Sequence, residues 1–236
     1  MSSSEASSIA AAPVGAARAA LEWVRDGMTV GLGTGRAASA FVEALGTRVA
    51  QGLQIVGVPT SEATAGLARS LNIPLARLED LDGLDVTFDG ADEVDEQLDL
   101  IKGYGAAMVR EKIVAASSRE LVILVGPEKC VARLGERGRL PIEVIPFGES
   151  LVRRELERLG LDAERRADAA QQTVITDNGN WILDAKLDPP LDARNLEAAI
   201  AVIPGVVGTG FFLGMTDAVI VGDGDAADVR RASGRT

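Results

Sequence analysis

Met28-Thr29-Val30-Gly31-Leu32-Gly33-Thr34-Gly35-Arg36 is the stretch on which the reading of the fold turns. A short apolar run containing β-branched residues ends among closely spaced glycines, and helix-forming residues follow. The segment therefore reads as a strand, a tight turn and a helix. Backbone N–H groups at such a helix N-terminus can cradle an anion. Arg36 stands where a dinucleotide fingerprint needs its third glycine, and no Gly-Lys-Ser/Thr follows as a P-loop requires. A turn that holds no ligand remains the alternative.

Outward from this unit the same alternation repeats. Apolar runs at Met28–Leu32, Leu53–Val58, Leu84–Phe88, Leu121–Val125 and Ala218–Val221 alternate with helix-like segments at 16–25, 37–50, 61–71 and 106–117. Strands alternating with helices predict an α/β fold, a Rossmann-like domain with a mainly parallel sheet. From about Val131 the character changes to Pro141, Pro146, a charged amphipathic segment Glu149–Leu159, and β-like runs at Thr173–Thr176 and Trp181–Leu183. Asp177-Asn178-Gly179-Asn180 joins these runs, and its Asn-Gly favours the positive φ angles of a tight hairpin. A helix over Leu191–Val202 follows Pro189-Pro190. The expected organisation is a Rossmann-like domain at 1–130 and 206–236, with a smaller inserted α+β (ferredoxin-like) domain at 131–205.

With 236 residues, 47% of them hydrophobic, the chain can bury a substantial core. Its 24 basic and 35 acidic residues leave a formal charge of −11, which repels nucleic acid and anionic membrane surfaces. No stretch approaches the roughly twenty continuous apolar residues that a membrane-spanning helix needs. The opening residues carry no apolar core of a signal peptide and read as a tail running into a helix. The single cysteine, Cys130, cannot form an intrachain disulfide, in keeping with a reducing, cytoplasmic setting. The chain has no histidine. That removes Ser-His-Asp and Cys-His schemes and His-based zinc sites, and leaves acid–base work to carboxylates, Lys or Tyr.

Two further segments can carry such chemistry. The run Asp85 to Asp95 has an apolar strand ending at Asp89, and open α/β sheets bind ligands at the carboxyl ends of their strands. Asp89 and Asp92 are placed to meet sugar hydroxyls, while Glu93, Asp95, Glu96 and Asp99 read equally well as a solvated acidic loop. The spacing does not fit an EF-hand, and no metal is expected. In the other segment, Lys102-Gly103-Tyr104-Gly105 opens a helix that is apolar on most faces, where Glu111 shares a side with Ala107 and Val114. A carboxyl pressed toward an apolar wall has its pKa raised, which suits a general base near neutral pH. The alternative is an exposed Glu between Arg110 and Lys112.

Together these segments resemble the ribose-5-phosphate isomerase type A family over nearly the whole chain. The matching stretches are Val30–Gly35, Gly57–Ala63, Asp89–Glu93, Lys102–Ala115, Pro141–Pro146, Thr176–Asn180 and Ile203–Val207. The resemblance implies an aldose–ketose isomerase of the pentose phosphate pathway that interconverts ribose 5-phosphate and ribulose 5-phosphate through a cis-enediolate. It also implies a homodimer or homotetramer and no cofactor. By position, Glu111 matches the general base, and Asp89, Asp92 and Lys102 match residues that bind the sugar, assist ring opening and stabilise the intermediate. Gly33, Thr34, Gly35, Gly103, Gly105 and Lys129 match positions lining the substrate.

The chain departs from the family at the phosphate end. Arg36-Ala37 replaces the usual Ser-Thr, Pro13 stands in place of a phosphate-facing lysine, Glu128 in place of a Ser or Thr, and Tyr104 in place of a third glycine. Arg36 is expected to supply the charge that those groups would have shared. An isomerase of the same family acting on a different pentose derivative, and a non-catalytic sugar-phosphate-binding protein, are the other readings.

Overall fold

A computed structural model describes residues 14–188 and 191–232; Pro13 and Pro189-Pro190 lie outside the described residues. Thirteen strands are described: β1 Thr29–Leu32, β2 Val56–Pro59, β3 Leu84–Gly90, β4 Glu93–Val94, β5 Leu100–Ile101, β6 Ser118–Val125, β7 Arg139–Val144, β8 Ala163–Arg165, β9 Trp181–Lys186, β10 Val206–Thr209, β11 Phe211–Phe212, β12 Ala218–Asp223 and β13 Ala226–Arg231. The helices are α1 at 14–20, α2 Arg36–Ala50, α3 Glu62–Ser70, α4 Met108–Ala116, α5 Glu149–Arg158 and α6 Ala193–Ala201.

The described chain forms two compact units, one from residues 14–91, 110–130 and 215–232, the other from 92–109 and 131–214. The division differs from the expected 131–205 insertion. Residues 92–109 carry β4 and β5, which pair with each other, and β5 also pairs with β11, so hydrogen bonding ties them to the second unit.

In the first unit a six-stranded sheet has the order β13-β12-β6-β3-β1-β2. Neighbours are parallel except for the antiparallel β12–β13 pair. The chain leaves β1 for β2 on one side and then for β3 on the other, which puts a topological switch point beside β1, where such sheets bind ligands. The sheet carries α2 on a core of Val30, Leu32, Val86 and Phe88. Phe41, Val42 and Leu45 of α2 recur at helical spacing and are fully buried. The Phe41 and Phe88 rings lie 4.3 Å apart, and burying such a side chain contributes about 1.5–3 kcal/mol. At one edge Gly57 of β2 bonds to the chain at Pro74 and Ala76. The other edge is β13, whose six residues are all exposed.

In the second unit, β7, α5, β8, β9, α6 and β10 follow one another, and the sheet order is β10-β7-β9-β8, all antiparallel. This is the βαββαβ ferredoxin-like arrangement. Val152 and Leu156 of α5 and Ile200 of α6 meet Leu140, Ile142, Val144 and Leu183 in its core. The predicted run Thr173–Thr176 is not a strand; it makes only isolated bridges, Ala167 with Thr173 and Ile175 with Trp181. The turn after it forms as expected, with Gly179 at φ +78° and Thr176 N–H donating to Asn180 O at 2.9 Å. Glu143 on β7 explains its shape: one carboxylate oxygen accepts from Thr176 Oγ1 (3.0 Å), Asn178 Nδ2 (3.0 Å) and Asn180 Nδ2 (2.8 Å). No helix among the described residues is long and apolar enough to cross a membrane.

Candidate active site

At the switch point, the turn after β1 is held by Asp89 at the end of β3. One Asp89 oxygen accepts the N–H of Thr34 at 3.0 Å and of Gly90 at 2.7 Å. Gly33 has to be glycine, because a Cβ there would stand 2.2 Å from that oxygen. Gly35 caps α2 at φ 107°, a conformation that side chains resist. Asp89 is 1% exposed, so it first of all organises the loop that sequence reasoning offered as an anion cradle.

The Thr34 hydroxyl belongs to a cluster of four. It lies 2.8 Å from Thr60 Oγ1, 2.9 Å from Ser61 Oγ and 3.2 Å from Thr64 Oγ1. Thr64 Oγ1 donates back to Gly33 O at 2.9 Å, and Thr60 Oγ1 to Leu32 O at 3.1 Å. Ser61 also caps α3 by accepting the N–H of Thr64. Thr60, Ser61 and Thr64 were missed as site residues. Thr60 and Ser61 fall in the matching stretch Gly57–Ala63 and Thr64 just beyond it, and hydroxyls roughly thirty residues from Thr34 have no periodicity to betray them.

Beside the loop, Arg36, Ala37, Gly90, Gly126, Glu128 and Lys129 line a cavity of about 110 Å³ at the ends of β3 and β6. That is room for roughly three to four waters at about 30 Å³ each, the scale of a phosphate group. Arg36 is the first residue of α2, so its guanidinium adds to the positive end of the helix dipole.

Glu111 lies in the first turn of α4 and is 4% exposed. Gly31 of β1 lets this helix approach closely, since a Cβ there would be 2.8 Å from Val114 Cγ1. Val114 and Ala115 are buried with Glu111. The neighbouring Arg110 turns to α3 and pairs with Glu62 at 3.0 Å. The exposed-edge alternative for Glu111 is therefore overturned by the packing of α4 on β1.

In the second unit, Lys102 is 2% exposed. Its N–H donates to Gly210 O at 2.8 Å, and its Nζ lies 5.4 Å from the Phe212 ring centroid. Asp92 accepts the N–H of Tyr104 at 2.9 Å, which fixes the turn through Gly103 and Gly105. Gly103 adopts φ +106°, and Ala106 is held at φ 63°, a strained conformation costing on the order of 1–3 kcal/mol. Arg166 supports that strain: its Nη1 donates to the carbonyls of Gly103 (2.7 Å) and Tyr104 (3.2 Å), while Asp184 holds it bidentately. Arg166 carried no sequence signal, standing among Glu164, Arg165 and Asp168 in a polar stretch. The Tyr104 ring has the Arg139 guanidinium 4.0 Å from its centroid, and burial pushes its phenol pKa up.

The remaining acidic residues are not a uniformly solvated loop. Glu93 is fully buried and accepts the N–H of Gly135 (2.6 Å) and Arg137 (2.8 Å). Burial raises its pKa, and that of Asp95 likewise. Asp99 binds Arg194 at 3.0 Å and the N–H of Gly214, whereas Glu96 is exposed. Among the described residues no three His, Cys, Asp or Glu side chains gather to hold a metal ion.

Comparison with known proteins decides the family. The profile described as Ribose 5-phosphate isomerase A (phosphoriboisomerase A) matches residues 56–226. The chain belongs to the ribose 5-phosphate isomerase A family. It is 48% identical over 224 residues to Ribose-5-phosphate isomerase A of Bradyrhizobium diazoefficiens, covering 91% of this chain and 92% of the relative. The Gloeobacter violaceus protein of that name is 50% identical over 215 residues, with 91% and 93% covered. Among solved structures, the enzyme from Methanocaldococcus jannaschii superposes with a TM-score of 0.88 at 40% identity, covering 93% of this chain and 97% of that one. A D-ribose-5-phosphate isomerase in complex with phospho-erythronic acid gives the same TM-score at 39% identity, with 93% and 97% covered. Family and fold together bear out the expected isomerase on a Rossmann-like α/β scaffold.

Proposed function

We propose that this chain interconverts ribose 5-phosphate and ribulose 5-phosphate, with Glu111 as the general base. The observation that carries the assignment is the burial of Glu111, a carboxyl 4% exposed at the family's base position, on a helix face shared with Val114. In the open-chain aldose, Glu111 takes the proton from C2. The C2–H electrons become the C1=C2 bond, and the carbonyl electrons move onto O1. The carboxyl then returns the proton to C1 while the O2 hydroxyl proton passes to O1, so that O2 becomes the ketose carbonyl and O1 the C1 hydroxyl. No atom or electron enters or leaves overall, so the interconversion consumes no redox cofactor.

Developing negative charge on the enediolate oxygens calls for fixed positive charge and hydrogen-bond donors. The resemblance assigns this work to Lys102 and ring opening to Asp89 and Asp92. Arg36, Lys129 and the turn Gly33-Thr34-Gly35 are our candidates for the terminal phosphate, supported by the cavity that Arg36 and Lys129 share and by the N-terminus of α2. The intact base and lysine positions count against a non-catalytic binder. A cytoplasmic location and a homodimer or homotetramer also rest on the resemblance.

Glu111→Gln tests the assignment. The variant should fold and should lose about 10²- to 10⁴-fold in turnover of ribose 5-phosphate, the usual share of a positioned general base. Turnover above a third of the parent's would remove Glu111 from the role.

A further inference from the structure

Glu128 stands where the resemblance leads one to expect a Ser or Thr, and it places a carboxylate on the cavity assigned above to the terminal phosphate. It lies in the single turn Pro127–Lys129 that follows β6. Its side chain folds back over the strand end: a Cβ on Gly126 would stand 2.1 Å from Glu128 Oε2 and 2.9 Å from its Cδ. The cavity it thereby lines is shared with Arg36 and Lys129. The residue is exposed and belongs to a chain with a formal charge of −11. A carboxylate in so acidic a chain has no general electrostatic reason to lie toward the cavity, whereas Arg36 and Lys129 on the same lining offer it positive charge.

We propose that Glu128 is a specificity-determining residue that acts as a built-in counter-ion. Its carboxylate occupies the phosphate subsite in the free protein and competes with the substrate's terminal phosphate for Arg36 and Lys129. The inference rests on the phosphate-end reading given above. Carboxylate and phosphate accept from guanidinium and ammonium donors in the same way, so the two anions exclude each other. A dianionic phosphate gains more from the same pair of cations than a carboxylate does, and it displaces the side chain into solvent. A neutral or singly charged sugar terminus lacks that advantage, so the subsite selects for phosphate at the expense of some affinity.

The test compares Glu128→Gln with the parent in steady-state isomerisation of ribose 5-phosphate and in competitive inhibition by inorganic phosphate. Removing the competitor should lower KM and the inorganic phosphate inhibition constant, each by about two- to fivefold, the scale of an exposed ion pair. Both effects should shrink as salt is raised. Unchanged or increased values for Glu128→Gln would overturn the proposal, and so would a gain that persists undiminished in high salt. Arg36→Ala and Lys129→Ala separate this failure from a deeper one. If either raises KM for ribose 5-phosphate while Glu128→Gln lowers nothing, the counter-ion inference falls and the phosphate-end reading stands. If neither alters KM, both fall.

Discussion

Asp89 offers a sharp perturbation because its structural role and its proposed chemical role are separable. One oxygen accepts two backbone N–H groups, from Thr34 at 3.0 Å and Gly90 at 2.7 Å, while the part in sugar chemistry is proposed from its match to the family. Asp89→Ala leaves both donors without that acceptor in a partly buried setting, at about 1–3 kcal/mol each. Taking the lower part of that range, the loss is roughly 2–4 kcal/mol. In a protein of this size each kcal/mol lowers Tm by about 2–4 °C, so thermal unfolding followed by circular dichroism should shift down by roughly 4–16 °C. Asp89→Asn keeps an oxygen in place and forfeits charge assistance alone, so it should recover about half of that shift. Its turnover should stay well below the parent's, because an amide cannot exchange a proton with the sugar. A Tm for Asp89→Ala within a degree of the parent would refute the role of Asp89 in holding the loop. Full turnover in Asp89→Asn would reduce Asp89 to that structural role.

Three other outcomes are expected. Arg166→Ala breaks a pair whose side chains are 9% and 15% exposed and unclamps the turn at Gly103 and Tyr104; urea unfolding should show a loss of about 3–5 kcal/mol, and a loss below 1 kcal/mol would contradict the clamp. Glu93 has its pKa raised above 4.5 by burial, so its contribution to stability is full below that value and is lost as pH rises through the higher folded value. Glu93→Gln, which never ionises, should therefore gain on the parent as pH increases from about 4.5; urea denaturation curves of the two proteins that shift in parallel over that range would contradict this. Isomerisation should persist after exhaustive chelation, since the proposed chemistry moves only protons, and activity lost to a chelator and restored by a divalent ion would sink it.

The parts of the fold legible in the sequence are those where burial writes itself as pattern. The runs at Met28, Leu84, Leu121 and Ala218 became β1, β3, β6 and β12 because strands covered on both faces need near-continuous apolar residues. β13 escaped notice because Ala226–Arg231 is exposed throughout and is a strand by virtue of pairing with β12 alone. The two-residue strands β4, β5 and β11 are too short to show any period, and with them the true extent of the second unit was lost. At the site, Asp89 and the glycine turn could be read from their place at strand ends. Glu111 could not be decided between Arg110 and Lys112, because its burial is a matter of tertiary packing, with α4 close to β1 where Val114 stands beside Gly31. The Thr34 hydroxyl and the Arg166 clamp reach partners 18 to 63 positions away, and no local pattern encodes such partners.

The exposed carboxyl-terminal strand bears on solubility. β12 presents Ala218-Val219-Ile220-Val221, all buried, and without a neighbour on that side it would be a long apolar edge of the kind that recruits other chains into shared sheets. β13 pairs with its backbone groups and offers water Asp228, Arg230 and Arg231, with Val229 the one large aliphatic side chain exposed on it. The strand Ala226–Arg231 thus covers the edge of β12, and a proteolytic nick at Gly224 that released it would leave the backbone groups of Ala218–Asp223 on that side without the partners they now have, far along the chain from Asp89, Lys102 and Glu111.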